Sequence, residues 1–255
     1  MARPSKPVYP APDARIGDDY WLRYGENPNP TVRERIVFLT MEELSQAGPG
    51  DFNAKDVCDR LGVKYPMINY YFGGRDGLIA EAVALAYERS VVELREAVNA
   101  APRDPEKRIR AWIAYDVEAA RRQKGLGVLM QYPIISKGSY EALKEEFHGR
   151  LQKSFEFYLA IVNVLVADIR AGRVTDIDFD ADTVPRRKLL SNPTIALDTS
   201  SVTWALHGLV MWSTGSHLVS SRSSDPDFST ELAVRRHITN IIAIARGAQS
   251  GAPHI

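Results

Sequence analysis

Apolar residues recur along this chain at the three- and four-residue intervals that line one face of a helix, and the elements they predict are helical throughout. Val32, Ile36, Leu39, Met41 and Leu44 make a broad stripe for a first helix over about Thr31–Ala47, which Gly48-Pro49-Gly50 is expected to end. Ala54, Val57, Cys58 and Leu61 then line a short helix with Asn53 as its N-cap, and Asp56 stands three residues on, as in a capping box. Gly62 stops that helix by taking the left-handed conformation that glycine adopts cheaply, and Val63 is placed to plug the corner. A second short helix is expected over Pro66–Phe72. Proline is tolerated in a first helical turn and disfavours the helical region for Tyr65 before it. Gly73-Gly74 closes this helix, and another starts near Arg75 and runs to about Ala100 on Leu78, Val83, Leu85, Val91, Val92 and Leu94.

The remainder repeats the helical pattern. Pro105–Gln123 turns Ile109, Trp112, Ile113 and Val117 inward, and Gly125–Ser136 is a short apolar segment. Ser139–Ala171 places Phe147, Leu151, Phe155, Tyr158, Ile161, Val162 and Leu165 near helical spacing before Gly172 ends it. The stretch 173–198, with Pro185, Pro193 and the Arg186-Arg187-Lys188 run, reads as irregular, either a solvated loop or a lid. Thr199–Ser221 and Phe228–Arg246 form a last helical pair; Gly208 and Gly215 permit close approach of helices within the chain or between two chains. Residues 1–30 hold six prolines and read as a flexible arm, with Arg3 and Lys6 near its tip and Tyr20, Trp21, Leu22 and Tyr24 clustered later. That arm is either a contact to a nucleic acid or a tail with one packed aromatic segment.

Two short helices joined through Gly62-Val63 make a helix-turn-helix, the arrangement whose second helix enters a DNA major groove. With the helix before it, and with VCDRLGV and NYYFGGRDGL in this order and spacing, Thr31–Val83 resembles the tetracycline-repressor (TetR) family of bacterial transcription regulators. Members of that family usually carry Ile-Ala at Val57-Cys58, Ala-Gly-Val at Leu61-Gly62-Val63, and Tyr-x-x-Phe then Ser-Lys-Glu at Asn69–Phe72 and Gly74-Arg75-Asp76. Lys64 stands in place of the usual Ser or Thr cap, Asn69 in place of a phosphate-contacting tyrosine, and Arg75 in place of a lysine.

The resemblance implies an all-α fold of three parts: the arm 1–30, a helix-turn-helix DNA-binding domain 31–76, and a helical ligand-binding and dimerisation domain 77–255. It further implies a homodimer joined through the last two long helices. Such a dimer would bind a palindromic double-stranded operator and be released as a repressor by a small, mainly apolar or aromatic effector. Lys55, Tyr70, Tyr71 and Arg75 are the candidates for positioning the DNA backbone, and Asn53 is a further DNA-binding candidate. Lys64, Tyr65, Met67 and Asn69 are those for base edges and thymine methyls. The candidate effector walls are Trp112, Tyr115, Met130, Tyr132, Phe155, Tyr158, Trp204, His207 and Met211, types that combine apolar surface with a few polar groups. Plain core packing is the simpler account of any one of them.

Composition narrows the alternatives. At 255 residues, 45% hydrophobic and 25% charged, the chain has the make-up of an ordinary globular protein. One cysteine excludes a disulfide framework and a thiolate zinc site and suits a reducing compartment. The polar, proline-rich start does not resemble a signal peptide, and Phe157–Ala167 is too short for a membrane span, so a cytoplasmic location without membrane contact is expected. No G-x-S-x-G elbow, H-E-x-x-H, P-loop or G-x-G-x-x-G before a strand is present, and the five histidines show no ligand spacing. No catalytic residue, cofactor or metal is therefore expected.

Charge pulls the other way: 32 Lys and Arg balance 32 Asp and Glu. Within Thr31–Asp76, Arg33, Arg35, Lys55, Arg60, Lys64 and Arg75 face seven acidic residues. Attraction to phosphate must come from placement and not from net charge. The alternative reading is a dimeric small-molecule binding protein with a degenerate DNA-binding head.

Overall fold

The computed structural model describes residues 29–122 and 144–184, together with 239, 241–243 and 246. Among the described residues every regular element is a helix: α1 (Val32–Asp51), α2 (Ala54–Leu61), α3 (Pro66–Phe72), α4 (Arg75–Ala100), α5 (Pro105–Arg122) and α6 (Lys144–Ala171). The chain divides into two units, Met1–Ala86 with Gln123–Phe147, and Tyr87–Arg122 with His148–Ile255. The expected segment Gly125–Ser136 and the helix Thr199–Ser221 lie outside the described residues, as does most of Phe228–Arg246.

In the first unit the chain enters α1 through a reciprocal cap. The Thr31 hydroxyl oxygen accepts the Glu34 N–H at 3.3 Å, and the Glu34 carboxylate accepts the Thr31 N–H at 2.6 Å and the Thr31 hydroxyl at 2.8 Å. These bonds, the backbone one foremost, hold the Glu34 carboxyl below its ordinary value. Such a cap contributes about 1 kcal/mol. The helix does not stop at Gly48-Pro49-Gly50 as expected; it continues to Asp51, and Phe52 turns extended with its ring buried in the core. Proline's fixed φ is itself helical, so near a C-terminus it removes one bond without forcing an exit. The burial of Phe52 sets where the chain leaves.

Asn53 caps α2 as predicted, its side-chain oxygen accepting the Lys55 N–H at 3.0 Å. The Asp56 carboxylate, however, takes the Asn53 side-chain amide (3.0 Å). Gly62 sits at φ 65°, ψ 26°, and the Val63 N–H returns to the Cys58 carbonyl, so the turn closes as its residues foretold. Helix α3 begins at Pro66, yet Tyr65 is in the right-handed helical region (φ −51°, ψ −39°) that proline disfavours for it. That geometry lets the Lys64 and Tyr65 carbonyls accept the Met67 and Ile68 N–H groups, and it delivers Ile68 to the core, which offsets the local cost.

Ile36, Leu39, Leu44, Val57, Cys58, Ile68, Phe72, Leu78 and Val83 pack together as the core of this unit. Val32, counted in the first apolar stripe, is 38% exposed, and so is Val92 on α4. Val37 and Thr40 are buried on α1. The packed arc is set by where neighbouring helices touch it, and periodicity alone cannot place its edges.

The second unit is built on Val91, Leu94 and Val98 of α4, Ile109, Trp112 and Ile113 of α5, and Phe157, Ile161, Val162 and Leu165 of α6, with Ile241 and Ile242 joining them. After Gly172 the segment 173–184 is irregular, as predicted, with most of its residues exposed, and it is fastened to α4 at several points; 185–198 lie outside the described residues. Asn99 donates to the Ile177 carbonyl at 2.9 Å and accepts its N–H at 3.2 Å; Arg95 donates to the Phe179 carbonyl at 3.3 Å. Ile177 itself is buried in the core.

Candidate functional site

The second helix of the helix-turn-helix is held by two apolar anchors, Ile68 and Phe72, on the side facing the core. Its other side collects the residues read as DNA contacts. Lys64, Tyr65 and Asn69 are exposed, Met67 is half-buried, and Tyr70 is 82% exposed. Tyr71 is half-buried against the core and meets Tyr70 edge-on with ring centroids 4.9 Å apart. Lys55 is exposed at the start of α2. This is a solvent-facing surface of amide, phenol and ammonium groups on the seven-residue helix and the residues leading into it, chemically suited to phosphate oxygens and base edges.

Asn53 and Arg75 are engaged within the unit. Asn53 spends its amide on the α2 cap and Asp56. Arg75 donates to the Phe52 carbonyl at 3.3 Å, lies over the Phe52 ring at 5.5 Å, and is 3.5 Å from Asp76. Arg33 pairs with Glu81 and stacks on Phe72, and Arg60 pairs with Glu43. Much of the basic charge of this unit thus serves its own packing.

A second constellation lies in the other unit. The Trp112 indole N–H donates to the Tyr158 hydroxyl at 2.8 Å, and that hydroxyl donates to Asp116 Oδ2 at 2.5 Å. Burial pushes the Asp116 carboxyl up to about 7, against the opposing effect of its Tyr158 and Trp112 contacts. Burial and the neighbouring Asp116 charge likewise push the Tyr158 and Tyr87 hydroxyls up. Of the effector-wall candidates, Trp112 and Tyr158 therefore share one hydrogen-bonded chain. Phe155 is half-buried against the core, and the Tyr115 hydroxyl turns to Glu93 at 3.0 Å. Met130, Tyr132, Trp204, His207 and Met211 lie outside the described residues.

Sequence reasoning missed Asp116 and Tyr87. Asp116 stands four residues after Trp112 and so shares its helical face, which is the signal that could have found it. Among the described residues no group of three His, Cys, Asp or Glu side chains is placed to hold a metal ion, and no helix is long and apolar enough to cross a membrane.

The raised Asp116 carboxyl makes stability depend on pH. An aspartate with an ordinary value of 3.8 that titrates near 7 when folded binds more protons in the native state between those values, so its favourable contribution is complete below the lower value and lost as pH rises to about 7. Compared with Asp116→Asn, the wild-type protein should lose at most roughly 2–3 kcal/mol between about pH 5 and about pH 8. Urea denaturation of both proteins at the two pH values measures this; parallel stabilities would refute it.

No protein-family model matches the chain. Over 54 residues, 21% of this chain, it is 33% identical to the HTH-type transcriptional regulator BetI 1 of Chromohalobacter salexigens. The match covers 27% of that protein's length. A crystal structure of a Pseudomonas aeruginosa PAO1 protein proposed to be a transcriptional regulator superposes with a TM-score of 0.55 at 17% identity, covering 86% of this chain and 91% of that one. A TetR/AcrR-family transcriptional regulator of Thermobifida fusca YX-ER1 superposes with a TM-score of 0.50 at 20% identity, covering 87% of this chain and 98% of that one. The chain has the all-α fold of these regulators, with a helix-turn-helix toward its N-terminus.

Proposed function

We propose, from the TetR/AcrR fold that this chain carries, that it is a DNA-binding transcription regulator acting as a homodimer and responding to a small molecule. The observation that carries this reading is the division of α3: Ile68 and Phe72 are buried, while Lys64, Tyr65, Asn69 and Tyr70 face outward together. A helix anchored in that manner presents a pre-arranged surface to a major groove without reordering its backbone. Lys55 and Arg75 supply cations for phosphate, and Lys64, Tyr65, Met67 and Asn69 the groups for base edges.

Two protomers joined through Thr199–Ser221 and Phe228–Arg246 would place two α3 helices in successive major grooves, so the operator is a palindrome. An effector held among Trp112, Tyr158 and their neighbours releases the operator if it binds the DNA-free state more tightly than the DNA-bound one. The protein then acts as a repressor.

The internal engagement of Arg33, Arg60 and Arg75 favours a second reading, a small-molecule binding protein whose head has lost its operator. A mobility-shift titration with DNA from upstream of the gene separates the two. The regulator reading expects retardation at low salt and a modest salt slope, because few cations are positioned to displace counterions. No retardation at low salt would leave the second reading standing.

A further inference from the structure

Helix α3 is too short to fix its own position. It has seven residues, and its N-cap, Tyr65, supplies no side-chain acceptor. Its place in the first unit therefore rests on tertiary contacts, with Ile68 and Phe72 as its buried anchors. Phe72, its last residue, is tied to two other helices of that unit through one side chain. The Arg33 guanidinium of α1 lies over the Phe72 ring at 5.3 Å, and its Nη2 is paired at 3.2 Å with Glu81 Oε2 of α4. On α3 itself the ring contacts continue outward, from Phe72 to Tyr71 at 6.0 Å and from Tyr71 to Tyr70 at 4.9 Å, ending on the most exposed of the three.

We infer that Arg33 is a positioning residue for DNA binding: it ties the end of α3 to α1 and α4, and so fixes how α3 presents Asn69 and Tyr70. This rests on the regulator reading above and gives Arg33 a part in it without contact to DNA. A guanidinium suits the task because its planar face stacks on a ring while its edge meets a carboxylate, whereas an ammonium is a point charge on a flexible stem. The Arg33 side chain keeps 44% of its surface exposed, so the competing role is that of a phosphate cation. The two roles differ in sign and in side-chain chemistry. Lysine replaces a phosphate cation with little loss, and such a cation adds to the salt slope; neither holds for a stacked brace. Removing the Glu81 carboxylate makes the DNA-binding unit less acidic, which by electrostatics alone strengthens binding. If Glu81 instead holds Arg33 on Phe72, the same change loosens α3 and weakens binding.

Three variants of the full chain, Arg33→Lys, Arg33→Gln and Glu81→Gln, test this in a mobility-shift titration with DNA from upstream of the gene. Each should bind about three- to ten-fold more weakly than wild type, with the salt slope unchanged, while still melting cooperatively. Amide hydrogen exchange on the same proteins without DNA follows α3 directly. The Met67, Ile68 and Gly73 N–H groups, bonded to the Lys64, Tyr65 and Asn69 carbonyls, should exchange at least about three-fold faster in Arg33→Gln than in wild type. Wild-type affinity in Arg33→Lys, unchanged or tighter binding by Glu81→Gln, a reduced salt slope in Arg33→Gln, or unchanged exchange in α3 would each overturn the proposal. If the wild-type protein retards no DNA, the regulator reading falls, and the exchange rates alone decide whether Arg33 holds α3.

Discussion

Replacing Asp168 with alanine should destabilise the second unit by about 3–5 kcal/mol, the cost of leaving a buried charge without its partner. Both Asp168 and Arg108 are about 1% exposed. Arg108 donates to the Val98 carbonyl at 3.2 Å, the Thr175 carbonyl at 2.5 Å and Asn99 Oδ1 at 2.9 Å, and lies 3.4 Å from Asp168 Oδ2. Asp168 in turn accepts the Thr175 N–H at 2.7 Å and the Thr175 hydroxyl at 2.8 Å. Burial lowers the Arg108 guanidinium from its ordinary value, and Asp168 opposes that shift. Alanine at 168 thus removes the guanidinium's counter-charge and leaves the two Thr175 donors without their acceptor. The exposed pair Arg103–Asp176, at 68% and 67% exposure, is the control: Arg103→Ala should change stability by less than about 1 kcal/mol. Guanidinium chloride denaturation of both variants decides it; equal losses would show that the buried network is not what holds 173–184 in place.

The next largest effect separates fold from recognition on a single helix. Ile68→Ala should cost the first unit roughly 2–5 kcal/mol, since Ile68 is fully buried and its truncation leaves a cavity. Tyr70→Ala, two residues on and on the exposed side, should alter stability by no more than about 0.5 kcal/mol. If α3 meets DNA as proposed, Tyr70→Ala should nevertheless weaken operator binding about ten-fold, the loss of one good contact. Thermal denaturation and mobility shift on the same preparations give both readouts. Unchanged DNA affinity in a fully folded Tyr70→Ala protein would argue that this surface does not face DNA.

The local devices of the first unit were legible because each rests on a backbone rule. Gly62 and Gly73 both take positive φ values, 65° and 70°, where helices must end abruptly, and Pro66 opens α3. Arg75–Ala100 begins and ends where its flanking glycines and prolines place it. Gly48-Pro49-Gly50 misled because breakers weigh against burial, and the anchoring of Phe52 decided the outcome. Val32 and Val92 misled because an apolar residue at the margin of a stripe is packed only if a neighbour arrives there.

The sequence by itself determined a chain of helices, the corner at Gly62-Val63, and the bounds of the short helix Pro66–Phe72. These follow from φ preferences and the period of the helix, properties that act within a few residues. Only the tertiary structure decided that Arg108 is buried, that 173–184 is bound to Asn99 and Asp168, and that Asp116 is enclosed among aromatic rings. Each of those depends on partners as many as 84 residues away, such as Phe179 on Arg95, and a desolvation cost exists only once such partners have closed around a charge.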